Sequence, residues 1–364
     1  MKIKDIIAVL EVMAPQAYAE DFDNVGLLVG DAGADATGVL VCHDALEEVL
    51  DEAIKKNCNL VVCFHPILFS AIKKITGKNY VERAIIKAIK NDIAIYAVHT
   101  SLDNHMNGVN KIFCDALGLT DTQILIPKEH FIRKLVTYTV PENADKVRNA
   151  MFKAGAGTIG NYDHCSFNST GFTTYVGNED SDPAIGKKGE LTINDEVKIE
   201  VTFKKHQQEG VLIALFENHI YEEVAYELYD LLNKHQNIGL GMTGMLPEPM
   251  EEREFLEFVK DKMQCGSVRH SNFTNKKISK VAVLGGSGSF AIKEAINSKS
   301  DCFLTADLKY HDFYAAENTI LFADIGHYES ERYTKNYIVD YLTEKLPNFA
   351  IILSEINTNP VKYL

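Results

Sequence analysis

The feature that most constrains this fold is an alternation that stops and then restarts. In residues 1–125, short apolar runs take turns with helical periodicity. Val39-Leu40-Val41-Cys42, Leu60-Val61-Val62-Cys63 and Ile93-Ala94-Ile95-Tyr96-Ala97-Val98 read as buried strands. Helices are predicted over 3–13, 45–56, 80–91 and 109–117. The same texture returns with Val281-Ala282-Val283-Leu284, Cys302-Phe303-Leu304-Thr305 and Ile320-Leu321-Phe322-Ala323-Asp324-Ile325, and it closes with a long helix predicted over 328–345. Alternation of this kind implies parallel strands joined by crossover helices.

The block between is different. A strand over 134–140 leads to a helix over 143–154, then β-type runs over 165–176 and 197–203. A helix over 207–218 follows, and 223–231 reads as a strand or a short helix. Strand-helix-strand-strand-helix-strand is the order of a ferredoxin-like unit. Segment 236–247, with Gly239-Leu240-Gly241 and Gly244, reads as a turn-rich boundary. The expectation is an α/β domain formed by both ends of the chain, 1–128 and 238–364, with an inserted ferredoxin-like α+β domain over 129–237.

Composition removes several function classes. A formal net charge of −14 argues against nucleic acid as a partner, which normally requires a basic footprint. No apolar stretch approaches the roughly 18 residues that span a bilayer, and the start lacks a signal-peptide pattern; the expectation is a cytoplasmic protein with no membrane partner. Seven cysteines without a C-x-x-C pair predict reduced, mostly buried thiols and exclude zinc-ribbon and thioredoxin readings.

The residues able to do chemistry stand where the apolar runs end. His65-Pro66 follows one run, and His99 with Asp103 follows another. His327 and Glu331, four apart, open the last predicted helix, where i and i+4 point the same way. Histidines and carboxylates gathered at equivalent strand ends of one inferred sheet are the donor types of a catalytic transition metal. Each also has a plainer reading: a hydrogen-bonded structural histidine, a helix cap at Asp103 or Asn104, and a surface helix pair. The glycine-rich loop 285–289 reads either as an anion cradle or as a tight strand-to-helix turn, and it matches no nucleotide motif. Asp307 reads as a cap and His311 as a helix-face residue, with a direct catalytic role for either as the alternative.

Taken together and in order, these segments resemble the NIF-three-like family, known also as GTP cyclohydrolase I type-two homologues or dinuclear-metal-centre proteins. The resemblance rests on Asp23-Asn24-Val25-Gly26-Leu27, His65-Pro66-Ile67-Leu68-Phe69, His99-Thr100-Ser101-Leu102-Asp103, Gly285-Gly286-Ser287-Gly288, the segment from Thr305 to His311, and Gly326-His327-Tyr328-Glu329-Ser330-Glu331. Within the insert, Ala154 to Tyr162 and His219-Ile220-Tyr221-Glu222-Glu223 match the long form.

The resemblance implies one or two divalent metal cations per chain (zinc, iron or manganese), a PII/CutA-like insert and a toroidal homohexamer. His65 and Asp103 would serve one ion, His327 the other, with Glu331 bridging. The family usually carries two adjacent histidines before the proline; here Phe64 replaces the first and cannot ligate, so water or His99 would have to compensate. The implied activity is metal-dependent hydrolysis of a small anionic or nucleotide-like molecule. The alternative is a non-catalytic, ring-forming metal-binding regulatory or interaction protein.

Overall fold

The computed structural model describes residues 1–364. These form two compact units, Met1–Pro127 with Asn237–Leu364, and Lys128–Gln236. The first part of the discontinuous unit supplies strands β1 (Gly26–Val29), β2 (Val39–Asp44), β3 (Leu60–His65), β4 (Ala94–Ala97) and β5 (Thr120–Pro127). The insert contributes β6 (Ile132–Thr139), β7 (Phe167–Val176), β8 (Leu191–Lys204) and β9 (Tyr226–Leu231). The chain then adds β10 (Gly239–Glu251), β11 (Arg269–His270), β12 (Lys277–Ser287), β13 (Cys302–Ala306), β14 (Leu321–Asp324) and β15 (Ile351–Leu353).

The discontinuous unit holds two sheets rather than the single sheet inferred from sequence. One runs β1-β4-β3-β2-β15, and the other β11-β14-β13-β12-β10-β5. Each contains three consecutive strands in parallel, β2-β3-β4 and β12-β13-β14, so each half of the alternating sequence supplies the parallel centre of its own sheet, while β5 and β15 each join the other half's sheet. Burial on both faces explains the unbroken apolar runs. On β3, Leu60, Val62 and Phe64 enter one core with Ile6, Leu10 and Ile338, while Val61 and Cys63 enter another with Leu50 and Ile85. Each such aliphatic side chain contributes about 1.5–3 kcal/mol when fully buried.

Local chemistry fixes the crossovers. The helix Tyr80–Lys90 starts at Asn79, whose side chain accepts from the Glu82 amide. Glu82 turns back to accept from the amides of Thr76 and Lys78, while Ala84, Ile85 and Ala88 face inward. Six of the seven cysteines are buried, and all seven are free.

Four departures from expectation stand out. The final helix is broken into His327–Glu331 and Thr334–Lys345, and the short run Ile351-Ile352-Leu353 returns as β15, parallel to β2. The glycine-rich segment near 239 is not a turn but the start of β10. A side chain at Gly239 would strike the Ile126 carbonyl, and one at Gly244 the Leu119 side chain. Those glycines permit close strand approach. The helix Glu252–Lys262, which follows β10, was not expected.

The insert is an antiparallel sheet ordered β7-β8-β6-β9, with helices Pro141–Lys153 and Gln208–Asn218. That is ferredoxin-like connectivity. Its core joins Leu135, Val147, Met151, Ile199, Val201, Val211 and Leu215.

Candidate metal centre

Parallel strands gather their carboxyl ends on one side of a sheet, where open α/β folds place ligands. The first sheet ends there in His43 and Asp44 on β2, His65 on β3, and the helix His99–Asp103 just after β4. The second sheet brings Gly285 and Gly286 on β12, Asp307 after β13, and the helix His327–Glu331 after β14.

These ends meet at Glu331. Its Oε2 lies 3.3 Å from His65 Nε2, 3.4 Å from His327 Nε2 and 3.3 Å from His43 Nε2. None of the three contacts has hydrogen-bond geometry, so this buried oxygen has no hydrogen-bond partner. Asp103 Oδ1 is likewise shut off from solvent and unpartnered. Candidate donor atoms of His65, His327 and Glu331 all lie within 4.8 Å of one another, as do those of His43, Asp44 and His65. The sequence-predicted His65, His327 and Glu331 are therefore brought together. Asp103 stands apart from that tight group but is coupled to Glu331 and His65 through its charge.

A ring of carboxylates aims the histidines. Asp44 Oδ1 lies 2.8 Å from His65 Nδ1, Asp307 Oδ2 2.7 Å from His327 Nδ1, and Asp23 Oδ1 2.8 Å from His99 Nδ1. Anchoring Nδ1–H leaves each Nε2 as the atom that can ligate once it has shed its proton, the arrangement that outer carboxylates give to metal-binding imidazoles. Asp44 is an orienting group because its oxygens are already engaged by His65 and by the Thr358 hydroxyl. Asp307, expected as a cap, orients His327 instead. His99 is not beside Glu331; its ring centroid is 5.3 Å from that of His65, on the cavity wall.

The electrostatics describe a site built around positive charge. Burial opposes ionisation of Glu331, yet His65 and His327 outweigh it and hold the carboxyl well below its ordinary range. Burial also opposes protonation of His65, but Glu331 and Asp44 raise it to about 10. Burial and then the neighbouring Glu331 push Asp103 well above the usual carboxylate range. Two acidic groups that cannot both ionise side by side, with orphaned oxygens and imidazole nitrogens between them, fit a divalent cation.

The glycine-rich segment does not cradle an anion. The Gly285 amide donates to Asn110 Oδ1 and the Gly286 amide to Ser330 Oγ, so neither is available to a ligand. Residues 285–287 extend β12 rather than forming a loop, and the helix beyond, Ile292–Asn297, is short. The glycines serve space: a side chain at Gly286 (φ 70°) would run into Glu331 Oε1. His311 is exposed and packs on Tyr310 and Tyr314. His43 and Asp44 also stand at this centre, and the sequence reading singled out neither. A strand ending in His43-Asp44 beside one ending in Phe64-His65 was the available signal.

A cavity of about 1440 Å³ opens over the centre, with His65, His99, Asp103, His327 and Glu331 in its wall. Phe22, Phe69 and Phe290 add apolar surface, and Lys73 and Lys74 add positive charge. The Phe22 and Phe69 rings lie 6.4 Å apart, tilted by 56°.

Residues 1–360 match the family model Duf34/NIF3 (NGG1p interacting factor 3). The chain belongs to the Duf34/NIF3 family. A relative from Bacillus subtilis (strain 168), named GTP cyclohydrolase 1 type 2 homolog, is 38% identical over 99% of this chain and 98% of its own. A Bacillus cereus protein related to NIF3 has a solved structure similar to this one. It superposes with a TM-score of 0.87 at 36% identity, covering 100% of this chain and 99% of that one. Staphylococcus aureus protein SA1388 superposes with a TM-score of 0.80 at 29% identity, over 100% and 99%. The mixed α/β fold of the Duf34/NIF3 family thus covers the whole chain. No helix is long and apolar enough to cross a membrane.

Proposed function

We propose that this chain binds divalent metal at the Glu331 cluster and uses it to hydrolyse a small anionic or nucleotide-like substrate held in the adjoining cavity. The observation that carries this reading is the convergence of His65 and His327 Nε2 on the unpartnered Glu331 Oε2, at 3.3 and 3.4 Å. His65 and Asp103 would hold one ion and His327 another, with Glu331 between them. Mixed imidazole and carboxylate donors suit zinc, iron or manganese. Bound metal would supply Lewis acidity toward a substrate oxygen and toward water.

The chain's own groups do the rest. Asp44 and Asp307 keep Nδ1 of His65 and His327 protonated and their Nε2 atoms turned inward. Lys73 and Lys74 offer charge to an anionic group, and Phe22 and Phe69 offer ring faces to a planar one. The name carried by the Bacillus subtilis relative is in keeping with a purine nucleotide. The test is metal content per chain by plasma mass spectrometry on tag-free protein, then turnover of GTP and model phosphoesters before and after chelation. About two equivalents of metal and chelator-sensitive hydrolysis are expected. No uptake of zinc, iron or manganese on reconstitution would end the metal reading.

A second reading is supported by the insert. Its edge strand β7 and the start of β8 leave Phe167, Phe172, Val176, Leu191 and Ile193 exposed. A long apolar edge is a pairing surface. A metal-binding homohexamer that acts by docking, without turnover, would use it. Light scattering that gives a six-chain mass, together with silent activity assays, would favour that role.

A further inference from the structure

We propose that His43 is a metal ligand, and that it supplies from β2 the imidazole that Phe64 withholds on β3. The inference rests on the metal-binding reading above and asks which residues of this chain complete the donor set around Glu331.

The strand register makes the exchange possible. β2 and β3 run parallel, with Cys42 level with Cys63 and Asp44 level with His65, so His43 and Phe64 occupy the level between. They also share a face. Val39 and Val41 on β2 enter the same core as Leu60, Val62 and Phe64 on β3, and alternation places His43 with them. Adjacent parallel strands lie about 4.8 Å apart. A side chain moved sideways by one strand therefore still reaches the same neighbourhood. The rings of His43 and Phe64 are 5.4 Å apart, and Phe64 is wholly buried as core.

His43 is itself only 3% exposed, and both of its ring nitrogens lack a hydrogen-bond partner. A buried imidazole in that state is costly, since each unpaired polar atom loses its water without replacement. A structural histidine in a core would have its nitrogens bonded. Here Nε2 instead sits 3.3 Å from Glu331 Oε2, matching the spacings of His65 and His327 to the same atom. The ring is held against His65 (centroids 4.7 Å apart) and Tyr328 (5.0 Å), so its position is fixed by packing. His65 is common to the two donor clusters, one containing His43 and the other His327 and Glu331. As a ligand, His43 would return to the centre around Glu331 the nitrogen that Phe64 withholds.

The experiment compares the full chain with His43→Gln, with Phe64→His and with the double exchange His43→Phe/Phe64→His. Zinc and cobalt(II) are the probes. Metal per chain is read by plasma mass spectrometry, affinity by competition with a chromophoric chelator, and ligand field by the cobalt d–d spectrum. The unaltered chain is expected to take about two equivalents and His43→Gln about one. The affinity loss at the second site should exceed the roughly 10–100-fold typical of losing an outer-shell partner. The double exchange, which keeps composition and core volume, should restore the second equivalent and the cobalt spectrum. It also keeps the question answerable should His43→Gln fold poorly. Unchanged stoichiometry, affinity and spectrum in His43→Gln would overturn this inference while leaving the metal reading intact. A wild-type chain that takes up neither ion would overturn both.

Discussion

Asp44 and His65 end neighbouring parallel strands at the same level, and Asp44 Oδ1 lies 2.8 Å from His65 Nδ1. Strand register alone thus gives His65 its orienting carboxylate. Asp44→Asn keeps the shape but removes the charge, and it can present an amide N–H where an acceptor is needed. Metal affinity should fall about 10–100-fold with the far-ultraviolet circular dichroism unchanged. Chelator competition measures it, and equal affinity would remove Asp44 from its assigned role.

Metal uptake should release protons. In the metal-free centre His65 is held protonated up to about pH 10 and Asp103 is pushed toward its neutral form. Ligation needs His65 neutral and Asp103 ionised, so apparent affinity rises with pH across the neutral range. Calorimetry in two buffers of different ionisation enthalpy should show at least about one proton released per ion at pH 7. A heat independent of buffer would contradict the assignment.

Two glycines with nearly the same φ separate strain from space. Gly286 (φ 70°) has Glu331 Oε1 where a Cβ would go, whereas Gly118 (φ 67°) has nothing within 4 Å. Alanine at either costs about 1–2 kcal/mol for a left-handed conformation, read by urea unfolding. Only Gly286→Ala should also lower metal content. Equal metal content in the two variants would mean that Glu331 can move aside.

The insert should weaken in mild acid. Burial, aided by Lys204 and His206, lowers His235 from its ordinary 6.5 to about 4. The unfolded chain therefore binds the proton first. The stabilising contribution is complete above about pH 6.5 and is lost as pH falls from there toward about 4. His206 and His219 are also depressed by burial and act in the same direction. Hydrogen exchange over 132–139 should lose protection between pH 7 and pH 5, and the loss should shrink in His235→Gln. An identical loss in the variant would place the acid sensitivity elsewhere.

Much of this arrangement was legible because two-sided burial writes itself as unbroken apolar runs. β3 and β13 stand in the sequence almost as they stand in the sheets. His65, His327 and Glu331 could be singled out because they follow such runs. β10 was misread because Gly239, Gly241 and Gly244 look like turns, when their role is to let β5 approach. β15 was missed because three residues carry no period of their own; pairing with β2 decides them. His43 was hidden because a lone histidine after an apolar run looks like core. Only register shows that it neighbours Phe64, and only the second sheet shows that it faces Glu331.

The division of the centre between two sheets has a consequence for how the chain comes to life. The half made first carries His43, His65, His99 and Asp103, but the oxygen on which the site converges belongs to Glu331, made after the whole insert. Until then an emerging chain holds His43, His65 and Asp103 without the one carboxylate oxygen on which the imidazoles converge. The complete donor set therefore exists only in a fully made chain, and a prematurely ended product would lack both His327 and Glu331.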